Sequence, residues 1–187
     1  MFNITNSPIA IICNYRTGSS ALCRSLAAVN KLVPLGEPAL SDERKLEFFK
    51  HYNSNNYVVK FMPDQIANFR PYQTIIDSNC FKIKLTRSDK VSQITSYYIA
   101  SMRGVWGTLS EKQNLAPYFL SIDSKKIDEA IDRILMVDGL LDNIDIQFDM
   151  VLTYEDLGII SNTQAVKTHQ PKNLDRIKSV VKEKLGI

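Results

Sequence analysis

A polar stretch, CNYRTGSSALCRSLA at positions 13–27, follows the apolar run IAII and precedes a helical pattern. Its polar turn consists of Arg16, Thr17, Gly18, Ser19 and Ser20. The first N–H groups of a helix have no partner within the helix, and Gly18 allows the tight turn that brings them together. Arg16 adds a permanent cation, and the two serines add hydroxyl donors. The stretch predicts a phosphate or sulfate site, although a serine-capped helix with a solvated arginine has the same pattern.

A second candidate anion site lies in KIKLTRSDKVSQITSYYIA. Arg87 follows a predicted strand, and Ser96 comes nine residues later, about two and a half turns into the next helix. We expect these two side chains to bind a second anion, with Ser92 and Thr95 as alternative hydroxyl donors. A surface arginine paired with Asp89 is the structural alternative.

The polar turn differs from the phosphate loop of nucleotide triphosphatases, which has the pattern G-x-x-x-x-G-K-[ST]. Ser19 follows Gly18 where that loop has its lysine. The strand FKIKL runs into Thr86 and Arg87, and not into the acidic residue that would help to hold magnesium. We therefore expect an anion site that requires no metal.

The elements that must position these residues alternate along the chain. Short β-branched runs predict strands at 9–13, 57–61, 81–85 and 149–153. Apolar residues at helical spacing predict helices at 19–29, from a cap at Ser41 onward, and at 89–102, 124–144 and 173–185. The segment 108–117 is interpreted as a surface loop.

Strands that alternate with helices predict an α/β fold, with a mostly parallel central sheet flanked by helices. Ligands of such sheets bind beyond the carboxyl ends of the strands, where both anion sites would lie. The chain has 187 residues, of which 44% are apolar, so we expect a single domain spanning 1–187.

Composition excludes several classes of protein. The net charge of +3 is too small to indicate a nucleic-acid-binding protein. Cys13, Cys23 and Cys80 form no C-x-x-C pair and are expected to be reduced, packed thiols of a cytosolic protein. No secretion signal or bilayer-spanning run is visible, so we expect a cytoplasmic protein without integral membrane association.

Four ordered motifs resemble those of sulfotransferases that use 3′-phosphoadenosine 5′-phosphosulfate (PAPS), and the likeness is strongest to the Stf0-type bacterial carbohydrate sulfotransferases. They are RTGSS at 16–20, RSDKVSQ at 87–93 followed by Ser96, GVW at 104–106, and YEDL at 154–157. Together they extend over most of the chain. The resemblance implies a P-loop-like, three-layer α/β fold and PAPS as the sulfuryl donor.

Residue by residue, the resemblance implies that the turn from Arg16 to Ser20 binds the phosphosulfate. Arg87 and Ser96 would bind the 3′-phosphate. The acceptor would be a hydroxyl of a carbohydrate or glycolipid.

A sugar hydroxyl is a weak nucleophile at neutral pH, so a carboxylate or histidine should accept its proton. Glu37, in VPLGEPAL, is the candidate base, because the family carries a glutamate in a similar segment. Arg16 is the candidate for neutralising charge on the leaving phosphate. Lys60, which ends an apolar strand, is expected to help bind the sulfuryl group or the acceptor. His51 and His169 are interpreted as structural or solvent-facing.

Several questions stay open at this point. Trp106 could stack on a sugar or adenine ring or lie in the core, and Lys167 and Lys172 could reach the nucleotide. A homodimer is neither predicted nor excluded. The alternative functions are a non-catalytic protein that binds a nucleotide or sulfate, and a small-molecule kinase with a degenerate phosphate loop.

Overall fold

The computed structural model describes residues 7–106, 118–158 and 170–187. Its helices and strands, in chain order, are β1 (Ile9–Cys13), α1 (Ser19–Asn30), β2 (Val33–Gly36), α2 (Asp42–Tyr52), β3 (Tyr57–Phe61), α3 (Arg70–Asp77), β4 (Phe81–Thr86), α4 (Lys90–Arg103), α5 (Ser124–Asn143), β5 (Met150–Thr153) and α6 (Leu174–Leu185). Short 3₁₀ turns follow three of the strands, at Pro38–Leu40, Pro63–Asn68 and Glu155–Leu157.

The five strands form one sheet in the order β2-β3-β1-β4-β5, and every pairing is parallel. β1 lies at the centre, and all five of its residues are fully buried. A central parallel strand is covered on both faces, which is why its sequence is a continuous apolar run. The predicted α/β fold class is confirmed, and the described strands are all parallel.

The core consists of two layers on the sheet and a third cluster of helices. On one face, Ile9 and Ile11 pack against α1 through Leu22 and Leu26. On the other face, Ala10 and Ile12 lie in a cluster with residues of α2 and α3, including Phe48, Tyr72 and Ile75. Helices α4, α5 and α6 pack together around Ile94, Ile134 and Ile177. This third cluster supports α4, which carries part of the candidate site.

The predicted strands and helices are present, with ends that differ by no more than one residue. Ser41 caps α2 by accepting a hydrogen bond from the Arg44 backbone N–H at 3.3 Å. Two further elements, β2 and α3, were not predicted. Pro34 and Gly36 disfavour a strand in general, but β2 is an edge strand, where a missing N–H is tolerated. The eight residues of α3 are too few for a clear helical period.

Cys13, Cys23 and Cys80 are free and buried, as predicted. Burial raises the pKa of each thiol, which lowers its reactivity. Across the described ranges, no helix is both long and apolar enough to cross a membrane. The predicted surface loop at 108–117 lies outside the described residues.

Candidate functional site

The carboxyl ends of all five strands meet at one edge of the sheet, because every strand runs in the same direction. A cleft of about 820 Å³ opens there. Its lining includes all but one of the predicted site residues, namely Arg16, Gly18, Ser19, Ser20, Glu37, Lys60, Arg87 and Ser96. The exception, Thr17, is fully buried just beneath. The fold thus brings together residues from four separate segments of the sequence.

Two buried polar side chains anchor the loop between β1 and α1. The Asn14 amide donates to the Ile134 carbonyl and to the Asp138 carboxylate, each at 2.8 Å. The Thr17 hydroxyl donates to the Asn14 carbonyl at 2.9 Å. Thr17 therefore shapes the loop through its side chain, and only its backbone N–H remains for an anion.

Gly18 adopts the left-handed conformation with φ of 76°, immediately before α1. The first hydrogen bonds of the helix are donated by Ala21 and Leu22 to the Gly18 carbonyl. The preceding N–H groups, at Ser19 and Ser20, have no acceptor within the helix and lie at its positive end. This is the local geometry that binds phosphate and sulfate groups at helix N-termini.

Arg16 also has a left-handed backbone, with φ of 59°, which is uncommon for a residue other than glycine. Its Nε donates to the Ser96 hydroxyl and its Nη1 to the Trp106 carbonyl, each at 2.9 Å. Burial, followed by the positive charge of Arg87, lowers the pKa of the Arg16 guanidinium. Ser96 thus contacts Arg16, and its role with Arg87 in binding an anion stays a prediction.

Arg87 lies beside Arg16 and on top of Tyr154. Its Nη1 donates to the Arg16 carbonyl at 3.1 Å, and its guanidinium carbon is 4.5 Å from the centre of the Tyr154 ring. Its Nε is buried without a hydrogen-bond partner in the described part of the chain, as is the Thr95 hydroxyl. Buried donors without partners are rare in folded proteins, and these two lie on residues that line the cleft.

The segment that carries Arg87 is held by the YEDL motif. The Glu155 carboxylate accepts hydrogen bonds from the backbone N–H groups of Ser88 at 3.1 Å and Asp89 at 3.0 Å. Asp89 in turn caps α4 by accepting from the Ser92 N–H at 2.9 Å. Partial burial raises the pKa of Glu155, but these backbone hydrogen bonds outweigh it, and the net pKa is lowered. The motif therefore positions the end of β4 and the start of α4.

Glu37 and Lys60 form an ion pair at the β2 side of the cleft, with side chains 12% and 10% exposed. The Gln65 amide donates to the other Glu37 oxygen at 3.4 Å. Glu37 follows β2 and Lys60 belongs to β3, so the pairing of these two strands brings the side chains together. Both residues line the cleft, and their roles as base and sulfuryl-binding cation stay predictions.

Trp106 lines the opposite side of the cleft and is 47% exposed. Its ring meets Tyr97 edge to face at 5.0 Å, and Tyr97 meets Tyr15 in the same way at 5.4 Å. The exposed ring is therefore not part of the core, and it is available to stack on a flat ligand.

Four further basic residues line the cleft, and sequence reasoning did not identify them. They are Arg24, Arg44, Arg103 and Lys178. They lie on four different helices, so no local pattern connects them. The contact of Tyr154 with Arg87 was not predicted for the same reason, since it spans 67 positions of the sequence. Among the described residues lining the cleft, seven are arginine or lysine and Glu37 is the one carboxylate.

Other residues considered from the sequence lie elsewhere. His51 is near the end of α2, where its Nε2 is 3.1 Å from a Glu47 carboxylate oxygen. The Lys172 ammonium lies 5.6 Å from the centre of the Phe119 ring. Lys167 and His169 are outside the described residues.

No protein-family model and no curated protein matches the chain.

Proposed function

We propose that this protein is a sulfotransferase that moves the sulfuryl group of PAPS to a hydroxyl of a carbohydrate or glycolipid. One observation carries the proposal. Arg16 and Arg87 lie together in the cleft, and neither forms an ion pair with a carboxylate within the described ranges. Two adjacent, partly buried cations destabilise each other, and an anionic ligand removes that cost.

The order of the strands supports a donor that extends across the cleft toward the candidate base. Glu37 and Arg87 follow β2 and β4, which are three strand positions apart in the sheet. At a spacing of about 4.8 Å between strands, the two ends are separated by about 14 Å. A nucleotide with its 3′-phosphate at Arg87 and its phosphosulfate at the loop from Arg16 to Ser20 extends toward Glu37.

In the proposed reaction, the acceptor oxygen forms a bond to sulfur as the bond between sulfur and the bridging oxygen of the donor breaks. Glu37 accepts the proton of the acceptor hydroxyl. Arg16 and the loop N–H groups stabilise the charge that develops on the leaving 5′-phosphate, and Lys60 binds the sulfuryl oxygens. The products are a sulfate ester and 3′-phosphoadenosine 5′-phosphate (PAP). All of these groups act by position and charge, as in phosphoryl transfer.

Calorimetric titration with PAP tests the donor assignment. We expect wild type to bind PAP and Arg87→Ala to bind it about tenfold to a hundredfold more weakly, because hydrogen bonds to a charged phosphate are lost. Arg176→Ala is the matched control, since Arg176 is an exposed arginine outside the lining of the cleft.

Absence of PAP binding by wild type, or equal binding by wild type and Arg87→Ala, would contradict the proposal. Tight binding of ATP that depends on magnesium would favour the kinase alternative. Binding of PAP without sulfuryl transfer to any of a panel of sugars would favour a non-catalytic nucleotide-binding protein.

A further inference from the structure

Two residues of the RSDKVSQ motif, Lys90 and Gln93, have no role in the proposed reaction. Both lie on α4, and neither is among the described residues that line the cleft. Gln93 is fully buried, although its side chain ends in a polar amide. Burial of an amide is costly unless hydrogen bonds compensate for the lost water. The groups that Gln93 binds therefore indicate what it contributes.

The Gln93 side chain connects α4 to the loop between β1 and α1. Its Nε2 donates to the Tyr15 carbonyl at 2.7 Å, across 78 positions of the sequence. Its Oε1 accepts a hydrogen bond from the Lys90 ammonium at 3.1 Å. Because the nitrogen and the oxygen of the amide are both bonded, the side chain is held in one orientation.

Lys90 continues this connection to α5 and back to the loop. Its ammonium forms an ion pair with one Asp138 carboxylate oxygen at 2.6 Å, and the other oxygen accepts from the Asn14 amide at 2.8 Å. The Asn14 side-chain oxygen accepts from the Tyr15 N–H at 2.6 Å. These contacts form a closed path that begins and ends at the Tyr15 backbone. We call it the polar ring, and its side chains are those of Asn14, Asp138, Lys90 and Gln93.

Carbonyl groups of the loop are engaged within the protein. The Tyr15 carbonyl accepts from Gln93, and the Arg16 carbonyl accepts from Arg87 at 3.1 Å. The Gly18 carbonyl accepts from the first hydrogen-bonded N–H groups of α1. The N–H groups that precede these have no acceptor within the helix. A carbonyl oxygen repels an anion and an N–H group attracts one, so this division of hydrogen bonds favours an anion at the loop.

The polar ring also holds the backbone on one side of Arg16. The left-handed conformation of Arg16, with φ of 59°, is uncommon, and such conformations persist where surrounding contacts hold them. Gln93 binds the carbonyl of the preceding residue, Tyr15. On the other side, the Thr17 hydroxyl donates to the Asn14 carbonyl at 2.9 Å. Loss of the Gln93 contact would leave the Arg16 backbone free to adopt a more common conformation.

We propose that Gln93 is a positioning residue that, through the polar ring, holds the loop from Arg16 to Ser20 in its anion-binding conformation before the ligand binds. This inference rests on the proposed function, in which that loop binds the 5′ end of the nucleotide. A loop that is already ordered loses little conformational freedom on binding, so more of the interaction energy appears as affinity. Gln93 acts through Tyr15 and does not itself contact the ligand.

Calorimetric titration with two nucleotides tests this role. PAP has a 5′-phosphate for the loop and a 3′-phosphate for Arg87, whereas adenosine 3′-phosphate has only the latter. We expect Gln93→Met to bind PAP about tenfold more weakly than wild type, because the loop must then be ordered on binding. The affinity for adenosine 3′-phosphate, measured by its competition with PAP, should be unchanged. Methionine is similar in length but has no N–H donor for the Tyr15 carbonyl.

Lys90→Met provides a second variant, which decides the question if Gln93→Met does not fold. The Lys90 side chain is 33% exposed, so its replacement opens the polar ring at a partly exposed position. We expect a loss of PAP affinity of about threefold or more, again without loss for adenosine 3′-phosphate. Ile127→Val is the control for stability, since Ile127 is a fully buried core residue of α5 outside the cleft lining and the polar ring. It should lower the free energy of unfolding and leave both affinities unchanged.

Three results would overturn the inference. They are an unchanged PAP affinity in the deciding variant, an equal loss of affinity for both nucleotides, and a similar loss of PAP affinity in Ile127→Val. In each case, normal PAP binding by wild type would show that the donor assignment survives. Absence of PAP binding by wild type, or failure of adenosine 3′-phosphate to compete with PAP, would contradict the proposed nucleotide site and the inference that rests on it.

Discussion

At the scale of single residues, the pairing of Glu37 with Lys60 has consequences for both catalysis and stability. The two side chains are largely buried, so each charge depends on the other. In the proposed reaction, Glu37 accepts a proton while Lys60 faces the sulfuryl group. Replacement of either residue alone leaves its partner as a buried, unpaired charge, and a change in activity must then be separated from a change in stability.

We expect Glu37→Gln to reduce turnover on a true acceptor by about a hundredfold or more, because the proton acceptor is lost. The variant should also unfold more easily than wild type, by about 3 kcal/mol, since Lys60 is left unpaired. Its PAP affinity, measured by calorimetry, should be retained.

The double variant Glu37→Gln/Lys60→Met separates the two effects. Removal of both charges should recover most of the free energy of unfolding, measured by urea denaturation, and should recover none of the turnover. Unchanged turnover in Glu37→Gln would remove this residue from the role of base. Recovery of turnover in the double variant would assign the defect to instability alone.

At the scale of elements, the turn after β5 is connected to the start of α4. Glu155 accepts two backbone hydrogen bonds there, and Tyr154 lies under the Arg87 guanidinium. The contact orders the segment between β4 and α4, which has Arg87 at its beginning. The YEDL motif thus positions the segment that carries Arg87.

Glu155→Gln should weaken these hydrogen bonds and lower the free energy of unfolding by about 1 kcal/mol at neutral pH, because a neutral acceptor replaces a charged one. The folded-state pKa of Glu155 is lowered from its ordinary value of 4.5, mainly by the backbone hydrogen bonds, which outweigh the effect of burial. Its contribution to stability is therefore present above the ordinary value and is lost as the pH falls through the folded-state pKa.

Urea denaturation at neutral pH and at about pH 3 measures the difference in the free energy of unfolding between wild type and Glu155→Gln. This difference should shrink at the acidic pH. Glu183→Gln, at an exposed carboxylate of α6, is the control and should show little change at either pH. If the difference in the free energy of unfolding between wild type and Glu155→Gln is the same at both pH values, the ionised carboxylate does not stabilise the segment. PAP affinity should fall in Glu155→Gln but not in the control, since only the former positions Arg87.

At the scale of the whole molecule, positive charge is concentrated in the cleft. The chain as a whole carries only +3, whereas arginine and lysine outnumber carboxylates seven to one among the described residues lining the cleft. Many other charged side chains are in surface ion pairs, such as Lys45 with Asp42 and Lys126 with Glu129. Among the described residues, the lining of the cleft is therefore much more positive than the chain as a whole.

The affinity for PAP should fall several-fold between about 50 and about 500 mM NaCl, because salt screens the attraction between the cleft and the phosphates. Adenosine, which lacks the phosphates, is the control, and salt should leave its affinity nearly unchanged. Equal salt dependence of the two ligands would show that the charges of the cleft do not contribute to binding.

The sequence by itself determined the α/β class, the approximate bounds of most helices and strands, and the loop and strand end that carry the candidate anion site. These features depend on local patterns, such as the apolar run of β1 and the position of Gly18 before α1. Elements without such patterns were missed, as with β2, where tertiary pairing outweighs the low strand propensity of Pro34 and Gly36.

Only the tertiary structure decided which side chains meet. It paired Glu37 with Lys60, placed Ser96 against Arg16 and Tyr154 under Arg87, and brought Arg24 and Arg44 to the same cleft. These residues are separated along the chain, and their contacts depend on strand order and helix packing, which local periodicity does not specify. The residue types of the site are thus visible in the sequence, whereas their arrangement around one cleft comes from the order of strands in the sheet.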